Sequence, residues 1–181
     1  MMTVYVYVMD TLADWEIGYV TAELHSWRFF KADAPEVCVK TVGRTMEPVT
    51  TMGGLTVLPD CTVDDIAVDT QSVLLLPGGN TWDRPEQDAI IRKAEELLSV
   101  GATVCAICGA TVALAHAGLL DDRPHTSNGE GFLDMMCPGY RGAALLCRRA
   151  VRRGREPDHR QRHRRAAVGQ TDHRAAGRLS G

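Results

Sequence analysis

The chain has 181 residues, 45% of them hydrophobic and 24% charged, with 17 glycines and 8 prolines. This is the length of one ordinary domain, and the composition excludes collagen-like, low-complexity and wholly disordered chains. The net charge of −3 conceals two unlike parts: residues 1–144 carry 9 Lys and Arg against 20 Asp and Glu, whereas residues 145–181 carry 11 Arg against 3 acids.

The first residues, Met1 to Asp10, lack the basic start, longer apolar core and small-residue cleavage site of a signal peptide. No apolar run approaches the ~20 residues of a membrane-spanning helix, so a cytoplasmic protein with no membrane partner is expected. Thr3–Met9 alternates Val with Thr, Tyr and Met and predicts a buried parallel strand. After the polar turn Asp10–Asp14, residues Ile17, Val20, Leu24 and Trp27 recur at helical spacing through about Lys31. Val37–Val42 predicts a second strand, and Met46–Leu58, broken by Gly53-Gly54, a hairpin-like excursion. Ser72–Leu76 is a short apolar strand ending in Pro77-Gly78-Gly79. Asp83 is placed to cap a helix with Pro85 in its first turn and a face of Ile90, Ile91, Ala94, Leu97 and Leu98. Thr103–Ile107 is another apolar strand, followed directly by a small-residue helix, Gly109–Ala117. A short stretch near 125–127 and a helix near Glu130–Met136 complete the body. Alternating strands and helices define an α/β class with a mainly parallel sheet. In such sheets ligands bind beyond the carboxyl ends of the strands.

The strongest chemical signal is Ala106-Ile107-Cys108-Gly109-Ala110, where a strand runs straight into a helix through a cysteine flanked by small residues. That pattern predicts a nucleophile elbow, a turn so tight that its neighbours must be small. A thiol at a helix N-terminus faces the positive end of the macrodipole, which favours the thiolate. The backbone amides of Gly109 and Gly79 are candidates for an oxyanion site. The bland reading is that Cys108 is a small buried hydrophobe, as free cysteines commonly are. The strand, the joint and the Gly-Ala helix start together favour chemistry.

Six cysteines, at 38, 61, 105, 108, 137 and 147, in a chain long enough for a real core fit reduced thiols. Cys105 and Cys108 spell C-x-x-C, but residues i and i+3 of a strand point to opposite faces, so Cys105 is expected in the core. No second pair completes a metal cage, and neither G-x-G-x-x-G after a strand nor a phosphate loop occurs. No cofactor or metal is therefore expected. His116 is expected to pack and His25 to lie on the surface, while Trp82, just past Gly79, is placed to flank the site. Glu16, next to a helix start, complements the macrodipole together with Asp14. Opposite an elbow cysteine, its carboxyl is also a partner for the sulfur.

Asp14-Trp15-Glu16, Leu75-Leu76-Pro77-Gly78-Gly79 and Ala106-Ile107-Cys108-Gly109-Ala110 together resemble the ThiJ/PfpI superfamily, which is class-I glutamine-amidotransferase-like and includes the human parkinsonism-associated protein. His125-Thr126-Ser127-Asn128 and Pro138–Ala144 are similar to its bacterial amidotransferase-like branch. The resemblance spans about residues 2–144 and implies a flavodoxin-like three-layer sandwich, commonly a homodimer. It implies that Cys108 is reactive and that Glu16 hydrogen-bonds its sulfur. It also implies stress-linked thiol chemistry, in which Cys108 is oxidised by peroxide, or hydrolase, glyoxalase-like or deglycase attack on a small carbonyl or amide substrate. A non-enzymatic chaperone or regulator acting through the dimer surface is the alternative. Two departures stand out. Some relatives carry histidine directly after the cysteine, where this chain has Gly109. Others supply a histidine near 125–128, where Asn128 takes the place and His125 lies three residues away, leaving both as accessory candidates.

The second departure is the arginine-rich segment after Ala144. It reads as a disordered tail, as a nucleic-acid-binding arm, or as out-of-frame translation, the reading favoured here. Plausible codons for Cys147–Arg165 read one base later give V-D-A-P and N-L-I-T-A-S-A-T-A, a turn, an apolar strand and a second turn. Relatives continue in that way, so the last strand and helix of the sandwich are expected to be missing from this chain.

Overall fold

The computed structural model describes residues 1–147 and 166–168. The strands are β1 (Met2–Tyr7), β2 (Val37–Gly43), β3 (Val49–Thr50), β4 (Thr56–Val57), β5 (Cys61–Thr62), β6 (Ser72–Leu76), β7 (Thr103–Ala106) and β8 (Ala166–Val168). The helices are α1 (Asp14–Ser26), α2 (Asp88–Ser99), α3 (Gly109–His116) and α4 (Phe132–Met136). Six strands form one parallel sheet in the order β5-β2-β1-β6-β7-β8, while β3 and β4 make a separate antiparallel hairpin. Setting aside the two-residue edge strand β5, this is the doubly wound 2-1-3-4-5 arrangement of flavodoxin-like folds.

β1 is central because both its faces are apolar: Val4, Tyr5, Val6 and Tyr7 are all buried, as a strand covered on two sides requires. Its register with β6, Thr3↔Ser72 through Val6↔Leu75, brings the chain after Tyr7 beside the turn at Pro77-Gly78-Gly79. The register of β6 with β7, Val73↔Thr103 through Leu76↔Ala106, brings Cys108 to the same end. The three segments singled out in the sequence thus converge where the strand order reverses, between β1 and β6.

Several elements differ from the sequence expectation. The second helix does not begin at an Asp83 cap; Pro85–Gln87 form a 3-10 turn first, and α2 starts at Asp88. Its apolar face is as expected, with Ile90, Ala94, Leu97 and Leu98 buried and each large aliphatic contributing roughly 1.5–3 kcal/mol. The first helix stops at Ser26, five residues early, because Trp27 adopts a left-handed conformation with φ 58° and its N–H closes the helix on Glu23 O. None of its residues is buried, despite the helical spacing of Ile17, Val20 and Leu24.

The expected absence of a last strand is corrected. Ala166–Val168 pairs parallel with β7, Val104↔Ala166 through Ala106↔Val168. The physical reason is that β7 otherwise ends the sheet with unpaired N–H and C=O groups, which a short apolar stretch can engage. The expectations of a missing closing helix and of a disordered or out-of-frame tail fall on residues outside those described. No helix among the described residues is long and apolar enough to cross a membrane.

Candidate active site

Cys108 is the joint between β7 and α3, with φ 54° and ψ −124°. That backbone conformation is unfavourable for a residue bearing a Cβ and costs on the order of 1–3 kcal/mol. The surroundings enforce it. Ile107 N–H donates to Leu76 O at 3.1 Å before the joint, while Ala110 N–H to Ile107 O and Thr111 N–H to Cys108 O close the turn at 3.1 and 3.0 Å. The Thr111 hydroxyl donates to Cys108 O at 2.7 Å, which leaves the Ser127 hydroxyl as the donor in the 2.7 Å bond between Thr111 and Ser127. Thr111 therefore locks the elbow to the 125–128 segment, a role the sequence reading missed.

Two glycines make the approach possible. A Cβ on Gly78 would sit 2.7 Å from Glu16 Oε2 and 2.9 Å from Cys108 Cβ, so the acid and the cysteine meet over a position that only glycine fits. A Cβ on Gly109 would press on Gly79 O at 3.1 Å and on Trp82 Cδ1 at 3.2 Å. Trp82 is buried and anchored by its indole N–H donating to Pro77 O at 2.8 Å.

Glu16 accepts the Gly78 N–H at Oε2, at 2.5 Å, which ties α1 to the turn after β6. This bond, rather than one to the sulfur, is what the structure gives the carboxyl. The hydrogen bond to Cys108 comes from Asn128, whose Nδ2 donates to Sγ at 3.3 Å. The N–H groups of Gly79 and Gly109 have no protein acceptor among the described residues.

His125 is held away from this work. It is buried, its Nδ1 bonds Arg123 O at 2.8 Å, and its Nε2 bonds the Tyr140 hydroxyl at 2.5 Å. Burial, with Asp134 and Asp121 adding to it, pushes the Tyr140 hydroxyl up, so it remains a donor. Nδ1–H then donates to the carbonyl and Nε2 accepts from Tyr140, which occupies both ring nitrogens. His116 is exposed rather than packed; it lines the cleft and bonds Met136 O at 3.2 Å. It sits at the far end of an eight-residue helix, about 12 Å of helical rise from the elbow. His25 is exposed, as expected. Within β7, burial pushes the Cys105 thiol up to about 11. Cys61 is also raised, first by burial and then by Asp65 and Asp60, with Lys40 opposing.

The hairpin β3–β4 hangs over the β1–α1 connection. Thr50 N–H donates to Asp10 Oδ1 at 2.8 Å, and Gly53 N–H donates to Asp14 Oδ2 at 2.7 Å. Met52 N–H donates to Leu12 O at 2.9 Å, which sets the Met52 side chain on the cleft wall. The Thr51 hydroxyl and the Gly53 N–H together hold the Asp14 carboxyl below the usual range. Asp14 is thus a clamp for the hairpin as well as an acid at a helix start. Among the described residues no group of three or more His, Cys, Asp or Glu gathers as a metal centre would need.

The profile of the DJ-1/PfpI family matches residues 2–155. The chain belongs to the DJ-1/PfpI family. A curated relative, "Uncharacterized protease YoaZ" of Bacillus subtilis (strain 168), is 47% identical over 139 residues, 77% of this chain. The match spans 66% of that relative, just under two thirds of its length. A solved thiJ/pfpI family protein from Bacillus anthracis is 44% identical with a TM-score of 0.76, covering 81% of this chain and 70% of that one. A DJ-1 superfamily protein from Agrobacterium tumefaciens is 29% identical with a TM-score of 0.68, covering 85% and 79%. Membership of the DJ-1/PfpI family accounts for the mainly parallel α/β sandwich.

Proposed function

We propose that this DJ-1/PfpI chain is a reactive-cysteine protein whose Cys108 adds to electrophilic carbonyl carbon. The observation that carries this reading is the Asn128 Nδ2–H donated to Cys108 Sγ at 3.3 Å, at the N-terminus of α3 and beside two N–H groups free to receive an oxyanion. The amide donor and the helix end both turn positive partial charge toward the sulfur. On addition, the sulfur lone pair forms a C–S bond, the carbonyl π pair moves to oxygen, and that oxygen is received by the Gly79 and Gly109 amides before taking a proton from water.

The name of the curated relative points to peptide hydrolysis, and the elbow supports hydrolase chemistry as a class. Amide cleavage also needs an acid for the leaving amine. His125, with both nitrogens engaged, does not provide one, so reversible addition to aldehydes and dicarbonyls fits these residues better than proteolysis.

The test is alkylation by iodoacetamide at neutral pH, read by peptide mass spectrometry, together with the protection from it that methylglyoxal gives. Cys108 is expected to label at least tenfold faster than Cys38, Cys61 and Cys105, and added methylglyoxal to slow its labelling reversibly. Labelling that tracks the other cysteines, or labelling of Cys108 that methylglyoxal leaves unchanged, overturns the reading.

A second reading, a protein acting through a homodimer surface, is supported by α1. Trp15 and Tyr19 are 51% and 85% exposed, and Leu55, in the turn of the neighbouring hairpin, is 61% exposed. Large apolar side chains exposed on one helix, as Trp15 and Tyr19 are four residues apart on α1, are the kind of surface that marks interaction sites.

A further inference from the structure

The cleft in front of Cys108 is larger and more apolar than a two- or three-carbon carbonyl requires. It encloses about 850 Å³, toward the upper part of the ~300–1,000 Å³ range of sites that take drug-sized molecules. Cys108, Gly109 and Asn128 line it together with Ile91 of α2, Val112 of α3, and Phe132 and Met136 of α4. Ile91, Val112 and Phe132 are half-buried and pack against the core from the cleft side, and Met136 is 47% exposed. Three helices thus present an aliphatic and aromatic wall to the space occupied by the sulfur. The ionisable side chains of the same cleft, Glu16, Asp83, Arg84, Asp88 and His116, set three carboxylates against one guanidinium and one imidazole, so the lining does not favour an anionic substrate.

Building on the reading of Cys108 as a nucleophile, we infer that its electrophile carries an aryl or branched alkyl group, which lies along Ile91, Val112, Phe132 and Met136 while the reacting carbon meets the sulfur. The preference comes from apolar surface withdrawn from water as the group enters the cleft. Small carbonyls reach the same sulfur but leave the wall wet.

Two probes with one reactive group separate the ideas: iodoacetamide and N-benzyl-iodoacetamide. In both, Sγ attacks the methylene carbon, a C–S bond forms and iodide leaves with the C–I pair. The benzyl-to-plain rate ratio at Cys108, divided by the same ratio at the exposed Cys147, is expected to be tenfold or more in the wild-type chain. It is expected to fall at least fivefold in Met136→Glu, which alters a half-exposed side chain, and in Ile91→Glu. A wild-type ratio equal to that at Cys147, with plain iodoacetamide still favouring Cys108, overturns the apolar substrate class and leaves the reactive cysteine standing. If plain iodoacetamide does not favour Cys108, the reactive-cysteine reading falls and this inference falls with it.

Discussion

At the scale of single residues, the site rests on a substitution of chemistry at one position. Toward the sulfur Asn128 is a donor: its carboxamide offers N–H to Cys108 Sγ and, unlike an imidazole, holds no exchangeable charge near neutrality. Hydrogen bonds to charged acceptors contribute ~1.5–3 kcal/mol when shielded from water. Asn128 is exposed, so about 1 kcal/mol is the better figure here. Asn128→Ala is therefore expected to slow Cys108 alkylation about fivefold, while Asn128→Asp, which sets a carboxylate against the thiolate, slows it further. Equal rates in all three proteins would show that the amide contributes nothing to the sulfur. The cysteine, the acid and the glycines were legible in the sequence because each sits at a joint whose geometry admits few residue types. Thr111 was not, since a threonine in the first turn of a helix carries no mark of what its hydroxyl reaches. The engagement of His125 depends on Tyr140, fifteen residues away, and no local pattern reports it.

Among the elements, apolar strands were read most closely. Ser72–Leu76 was found to the residue, and Thr103–Ala106 within one, because continuous apolar runs end there in Pro-Gly-Gly and in Cys-Gly. The two-residue edge strand Cys61–Thr62 was not read, being too short to show any alternation. The hairpin was seen as an excursion, but its attachment was not, because this runs through side chains of the β1–α1 connection. That attachment is testable through Asp14. Its folded-state carboxyl is lowered by Thr51 and Gly53. Its contribution is therefore complete above the ordinary aspartate value of ~3.9 and is lost as pH falls through the lowered value. Hydrogen exchange at the Met52 and Gly53 amides, corrected for intrinsic rates, is expected to show constant protection from neutrality down to about pH 4 and loss below it. Asp14→Ala is expected to lose that protection at every pH. Unchanged protection in the variant would assign the hairpin's placement to the Leu12 and Thr50 backbone bonds alone.

For the molecule as a whole, helix α1 is a layer with little over it: it ties down the site through Glu16 yet buries none of its residues. The sequence showed its spacing but could not show what covers it, because periodicity reports a face and not its partner. Two such helices brought together would cover Tyr19, which is 85% exposed. Sedimentation at micromolar concentration is expected to give a dimer for the wild-type chain and a monomer for Tyr19→Lys with unchanged circular dichroism. A wild-type monomer would remove the interface.

The order of the sheet also bears on how this protein reaches its working state. The site is assembled from chain ends after β1, β6 and β7, and β1 meets β6 only after some seventy intervening residues have found their places. Helices form locally and early, whereas pairings between distant strands close late. The strain at Cys108 has no support until Leu76 and Ile107 are joined, so the elbow can hold its shape only once β6 and β7 have paired.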